Sequence, residues 1–275
     1  MKLWIVCFSF LLLHAVEAYS QNHPNARLNI PYTSGSDTLQ QLDVFRDPKI
    51  KDRPVLIFFH GGGFLSGNKA DYRTMAVFMS QRGIVVVLVN YRLSPKVKYP
   101  CHEEDAAAAV AWVFQNIHDY GGDKQKIYLM GHSAGGQLAT LLASNEDFLN
   151  PYNIKSSNIK GVITVSSVFE VKTQEGGATP QYLEMIYGSN PKIWAEASCK
   201  SHLNNDKKLS PFLVAWSSEE HPLIIKESTN FLEILRHQQR EFETCIFEGG
   251  DHKAFQSELM DSESEFFKLV YQMVQ

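Results

Sequence analysis

Ile84-Val85-Val86-Val87-Leu88-Val89 is an unbroken apolar run, almost all of it β-branched. A strand with one wet face alternates apolar with polar residues. A strand without alternation is covered on both faces, as at the centre of a parallel sheet. Shorter runs of the same kind recur at Val55–Phe59, Ile127–Met130, Gly161–Ser166, Phe212–Trp216 and Glu243–Phe247. Between them lie segments with helical spacing: Lys69 to Gln81, Glu103 to Tyr120, Gly136 to Ala143 and His221 to Gln239. A last amphipathic helix is expected over Leu259 to Val274. Leu39 to Phe45 alternates weakly and reads as an antiparallel edge strand. Strands alternating with helices build βαβ units, so the expected class is α/β: a mostly parallel central sheet with helices on both faces. A chain of 275 residues fits one such domain. The segment from Glu170 to Leu209 carries no clear periodicity and reads as a short cap insertion.

The first twenty residues have a different character. Lys2 precedes the apolar stretch Leu3 to Leu13, and small residues follow at Ala15, Ala18 and Ser20. This is the pattern of a secretory signal peptide over 1–20, cut near Ala18 or Ser20 and leaving a domain over 21–275. Its apolar core is short for a bilayer-spanning helix, which takes about 20 residues. An exported chain is therefore expected, secreted or periplasmic, without stable membrane insertion after cleavage. Of four cysteines, Cys7 leaves with the signal. Cys101, Cys199 and Cys245 remain, and an odd number allows at most one internal bridge. If one forms, Cys101 and Cys199, both read as loop residues, are the candidates. A net charge of -4 offers no basic field for nucleic acid.

Chemistry enters at Gly131-His132-Ser133-Ala134-Gly135. This G-x-S-x-G stands where a strand ends and a helix begins, the setting of a nucleophile elbow. A serine hydroxyl is a poor nucleophile. It needs a base, an acid to orient that base, and donors for the oxyanion that forms. His60-Gly61-Gly62-Gly63-Phe64 follows the strand Val55–Phe59 directly. Its glycines let the backbone approach closely, so the N–H groups of Gly62 and Gly63, with that of Ala134, are the oxyanion candidates. The base should follow the last strand, and His252 alone among the histidines has that position and chain order. The acid should lie between Ser133 and His252. Glu219 and Glu220 follow the strand Phe212–Trp216, and one of them can orient His252.

These residues resemble the α/β-hydrolase superfamily, and within it the HGGG-bearing branch. That branch holds hormone-sensitive-lipase-like carboxylesterases, BD-FAE-type esterases and kynurenine formamidases. The marks are His60 to Phe64, Asn90-Tyr91-Arg92-Leu93-Ser94-Pro95, Tyr99-Pro100 before Glu104-Asp105-Ala106, Tyr120-Gly121-Gly122-Asp123, and Gly131 to Gly136. The resemblance implies Ser133 as nucleophile, His252 as base, and Gly62, Gly63 and Ala134 as oxyanion donors. It places the acid at Glu220, where the family stretch usually ends in Gly-x-x-Asp. This chain departs by carrying Glu220 at the aspartate and Ser217 at the glycine.

The resemblance implies hydrolysis of a small-molecule ester through an acyl-enzyme, with no cofactor and no metal. A short insertion leaves no room for a large lid, so short-chain or small aromatic esters are the expected substrates. Phe64, Leu65 and the segment Tyr182 to Tyr187 are candidates to line the pocket. An aryl-formamide hydrolase using the same three residues is the alternative, against which an export signal counts. Oligomeric state is not legible in the sequence.

Overall fold

The computed structural model describes residues 25–173, 177–203, 209–250 and 252–275. The signal segment over 1–20 and Asp251 lie outside the described residues. Eight strands form one sheet: β1 (Ala26–Pro31), β2 (Gln41–Phe45), β3 (Arg53–Phe59), β4 (Val85–Val89), β5 (Gly122–His132), β6 (Ile159–Val165), β7 (Phe212–Ser217) and β8 (Phe242–Phe247). Their order is β1-β2-β4-β3-β5-β6-β7-β8. From β4 to β8 every pairing is parallel, while β1 and β2 add an antiparallel edge.

The central strands are buried on both faces, as their unbroken apolar runs require. Every residue of β4 is buried. Odd and even positions feed two separate cores: Val85, Val87 and Val89 point into one, Val86 and Leu88 into the other. The first core lies under α2 (Cys101–Asn116) and α3 (Ala134–Ser144). The second lies under α1 (Arg73–Ser80) and the C-terminal helices.

Several elements differ from expectation. β1 arises between the first twenty residues and Leu39, where no apolar run announces it. Pairing with β2 holds it, and the Asn29 N–H donates to the Asp43 carboxylate at 2.8 Å. The helix expected over Leu259 to Val274 is two helices, α7 (Phe255–Leu259) and α8 (Glu265–Val274), with Ser264 capping the second through the N–H of Phe267. The cap insertion is not irregular throughout. It contains α4 (Pro180–Tyr187) and α5 (Pro191–Ala197). Thr179 and Asn190 cap them and a proline occupies the first turn of each. The remaining long helix, α6 (Pro222–His237), matches its expected span closely. Cys101, Cys199 and Cys245 are all free thiols, so the Cys101–Cys199 bridge does not form. Cys199 is buried and its thiol donates to the Gln137 carbonyl on α3. No helix among the described residues is long and apolar enough to cross a membrane.

One buried carboxyl has a measurable consequence. Glu103 on α2 is fully buried and neither oxygen has a hydrogen-bond partner. Burial pushes its pKa up to about 8 from 4.5. Such a group keeps its proton in the fold but loses it in the unfolded chain, so the fold weakens as pH rises from 4.5 through 8. Neighbouring His102, which burial lowers from 6.5 to about 4, strengthens the fold as pH rises between those values. The two effects oppose one another below pH 6.5, and the loss due to Glu103 stands alone above it. Urea unfolding of the native chain should show a drop of about 1–2 kcal/mol between pH 6.5 and 8, and Glu103→Leu should flatten it. An unchanged slope in the variant would show that Glu103 already ionises freely.

Candidate active site

The site is assembled at the carboxyl ends of parallel strands. β5 runs into the elbow and α3 leaves it. Between them Ser133 takes φ 54° and ψ −118°, a sparsely populated conformation for a residue with a side chain. Three backbone bonds hold it there. Its N–H donates to the Val165 carbonyl at 2.8 Å, and its carbonyl accepts from the N–H groups of Gly136 and Gln137. The hydroxyl is not spent on capping α3 and opens on a cavity. The flanking glycines are steric necessities. A Cβ at Gly131 would lie 2.0 Å from the Gly135 carbonyl oxygen, and one at Gly135 would lie 2.1 Å from that of Phe59.

His252 and Glu220 meet across the loops that follow β8 and β7. The imidazole Nδ1–H donates to Glu220 Oε2 at 2.8 Å. The other carboxylate oxygen accepts the backbone N–H of His221 at 2.9 Å. Glu220 is buried, and burial alone would raise its pKa. Hydrogen bonds from His252 and the His221 N–H outweigh it and hold the carboxyl at about 2. The buried Ser166 hydroxyl pulls in the same direction, although it makes no hydrogen bond of regular geometry. Of the two glutamates open in the sequence, Glu219 is exposed. Glu220 is the one that reaches the imidazole. The departure at Ser217 is also put to use. Its hydroxyl donates to the carbonyls of Gly249 and Gly250 at 2.8 and 3.2 Å, and Ser218 Oγ accepts the Gly249 N–H at 3.0 Å. The two serines stitch the glutamate loop to the histidine loop.

The glycine loop after β3 has every carbonyl occupied by a donor from the protein itself. That of His60 accepts Tyr91 OH at 2.7 Å, that of Gly61 accepts His60 Nδ1–H, and that of Gly62 accepts the N–H groups of Leu65 and Ser66. The Gly63 carbonyl accepts Tyr182 OH at 3.1 Å and the Phe64 carbonyl accepts the Ser94 N–H at 2.8 Å. Gly62 at φ 122° and Gly63 at φ 60° take left-handed conformations. A Cβ at Gly62 would lie 2.1 Å from the Ser66 carbonyl oxygen. His60 stacks on Tyr91, and burial lowers its pKa to about 4, so it braces the loop as a neutral ring.

The cavity measures about 660 Å³, and Ser133, Glu220 and His252 all line it. Gly63 and Ala134 line it, while Gly62 is exposed and does not. Phe64 contributes a face but belongs chiefly to the core, packed against Tyr91, His102 and Tyr187. Tyr182, Leu183 and Tyr187 of α4 form the cap side, and Leu223 and Ile224 of α6 stand at the cavity too. Leu65 packs against the core and is not a wall. Gln137 also lines the cavity, buried and hydrogen-bonded to Tyr187 OH and the Ala197 carbonyl. Sequence reasoning placed Tyr182 at the pocket but passed over Gln137 and the bonding role of Ser217. Ser217 alone left a signal, as a serine where the related stretch carries glycine. Among the described residues no group of three or more His, Cys, Asp or Glu is placed to hold a metal ion.

A parallel sheet, an elbow serine at the end of its central strand and a histidine after the last strand define the α/β-hydrolase fold. The chain belongs to the BD-FAE family, whose profile matches residues 42–235. It is similar to Esterase LipC of Mycobacterium tuberculosis, 29% identical over 223 residues that cover 75% of this chain and 54% of that protein. It is similar also to Esterase LipQ of the same organism, 29% identical over 76% of this chain and 52% of that protein. The chain thus spans about half the length of these relatives. Among solved structures, Esterase B from Lactobacillus rhamnosis superposes with a TM-score of 0.78 at 19% identity, covering 98% of this chain and 93% of that one.

Proposed function

We propose that the chain is an exported serine carboxylesterase that hydrolyses short-chain or small aromatic esters. The observation that carries this reading is the Glu220–His252 pair at 2.8 Å, opening on the same cavity as the strained Ser133. His252 Nε2 takes the proton of Ser133 as Oγ attacks the ester carbonyl carbon. The carbonyl π pair becomes an oxyanion, held by the N–H groups of Gly62, Gly63 and Ala134. Each such donor is typically worth about 3 kcal/mol in the transition state. Collapse breaks the bond to the alkoxy oxygen, which leaves with the proton from His252. Water then repeats the sequence, and the carboxylic acid departs. Glu220 stays ionised throughout and favours the imidazolium that forms at each step.

The names of LipC and LipQ support an ester over an aryl formamide. A mostly apolar cavity of about 660 Å³, with Gln137 and Tyr187 in its lining, supports a small acyl group. Export rests on Lys2 and the apolar run Leu3 to Leu13.

A turnover panel tests the reading. It holds p-nitrophenyl esters from acetate to laurate, acetylated xylan, a feruloyl ester and N-formylkynurenine. kcat/KM should peak at acetate or butyrate and fall about tenfold or more by laurate, as chains outgrow the cavity. A maximum at laurate, or with N-formylkynurenine, would overturn it.

A further inference from the structure

The residue between glycine and serine in the elbow is His132, and the mechanism leaves it without a task. It is 2% exposed. Its Nε2 lies 2.7 Å from the main-chain carbonyl oxygen of His252, 120 residues away in sequence. A carbonyl can only accept, so Nε2 carries the hydrogen and Nδ1 is a bare acceptor. Tyr72 OH stands 3.4 Å from that Nδ1, where it can donate. The ring lies 4.5 Å from the His252 ring and 4.7 Å from Phe255, centroid to centroid. On its other side it presses on the glycine loop. A Cβ at Gly61 would sit 2.7 Å from His132 Nδ1.

His132 therefore touches all three pieces that must stay in register. It is peptide-bonded to Ser133, packed on Gly61 and hydrogen-bonded to the backbone of His252. The histidine loop needs such a pin. Gly249 at φ 66° and Gly250 at φ 84° lead into it in left-handed conformations, with no side chain to pack against its surroundings. Ser217 and Ser218 fix only its beginning. We propose that His132 is a positioning residue that holds the His252 backbone so that its imidazole bridges Glu220 and Ser133. Burial supports this role by lowering the His132 pKa to about 3, so the ring keeps one neutral tautomer and one donor over the working range. A neutral ring also brings no positive charge beside His252 when that residue takes a proton. An apolar residue would fill the same space but could not donate.

The proposal rests on the serine-hydrolase reading, and the experiment separates the two. His132→Gln keeps an N–H donor of similar reach, whereas His132→Met has similar length and none. With p-nitrophenyl butyrate, His132→Met should lose about 10- to 100-fold in kcat with KM nearly unchanged, because misplacement of the base is felt mainly in the transition state. His132→Gln should recover most of that loss. A second readout is the low-field proton resonance of the His252–Glu220 hydrogen bond. It should persist in the native chain and in His132→Gln, and broaden or vanish in His132→Met. Equal losses in both variants would show the ring to be packing only, and a native kcat in His132→Met would show the bond to be idle. Either overturns the proposal. Should the methionine variant not fold, the glutamine variant decides alone: a kcat near native supports the donor, a collapsed one overturns it. The resonance judges His132 whatever the substrate, whereas Ser133→Ala judges the ester reading.

Discussion

Ser133→Ala is expected to lower kcat for p-nitrophenyl butyrate by about a million-fold, and His252→Ala by as much. The two together should cost no more than either alone. A hydroxyl without its base and a base without its hydroxyl leave the same residue of catalysis, from the oxyanion donors and binding. Thermal unfolding should be little changed by Ser133→Ala, since the hydroxyl makes no cap bond and faces the cavity. The elbow strain belongs to the backbone and is kept by alanine. Turnover in Ser133→Ala above a few per cent of native would remove the serine from the reaction. Additive losses in the double variant would mean that the two residues serve different steps.

Glu220→Gln should lower kcat by roughly ten-thousand-fold, as amide replacement of a buried triad carboxylate does elsewhere. Both carboxylate oxygens accept hydrogen bonds, one from His221 N–H and one from His252 Nδ1–H. An amide offers one acceptor and one donor, so one partner must face an N–H group. If that partner is His252, the imidazole turns to the wrong tautomer. If it is the backbone of His221, the start of α6 is disturbed instead. In both cases the negative charge that favours the imidazolium is gone. Glu219→Gln removes an exposed charge and should leave kcat within about twofold of native. Reversed magnitudes would move the acid to Glu219.

The parallel sheet was legible because burial on both faces leaves a compositional trace, as in Val85–Val89. The elbow, the glycine loop and His252 were legible because their chemistry fixes both residue type and chain order. Glu220 was separable from Glu219 only by resemblance. Adjacent side chains point differently, and which one faces His252 depends on how β7 ends. Much of the rest depends on partners far away in sequence. β1 needs β2 beside it, since its apolar residues Ala26, Leu28 and Ile30 alternate with exposed ones and are themselves only half-buried. The role of Gly61 depends on a ring at His132. The short helices α4 and α5 had a readable start, Thr179-Pro180 and Asn190-Pro191, but too few turns for a periodic signal. Cys101 and Cys199 both read as loop residues, yet Cys101 opens α2 and Cys199 is buried beside Gln137.

The cap helices α4 and α5 both sit in the single connection between β6 and β7. Ser133, His252 and the glycine loop are carried by β5, β8 and β3, and Glu220 follows only after β7 is complete. Machinery and tailoring are thus encoded on separate stretches of gene. Insertion, deletion or recombination within one interval can reshape the wall around Tyr182, Leu183 and Tyr187 while every strand that presents the triad is inherited intact. Diversification of such a lineage should concentrate its length changes in that interval.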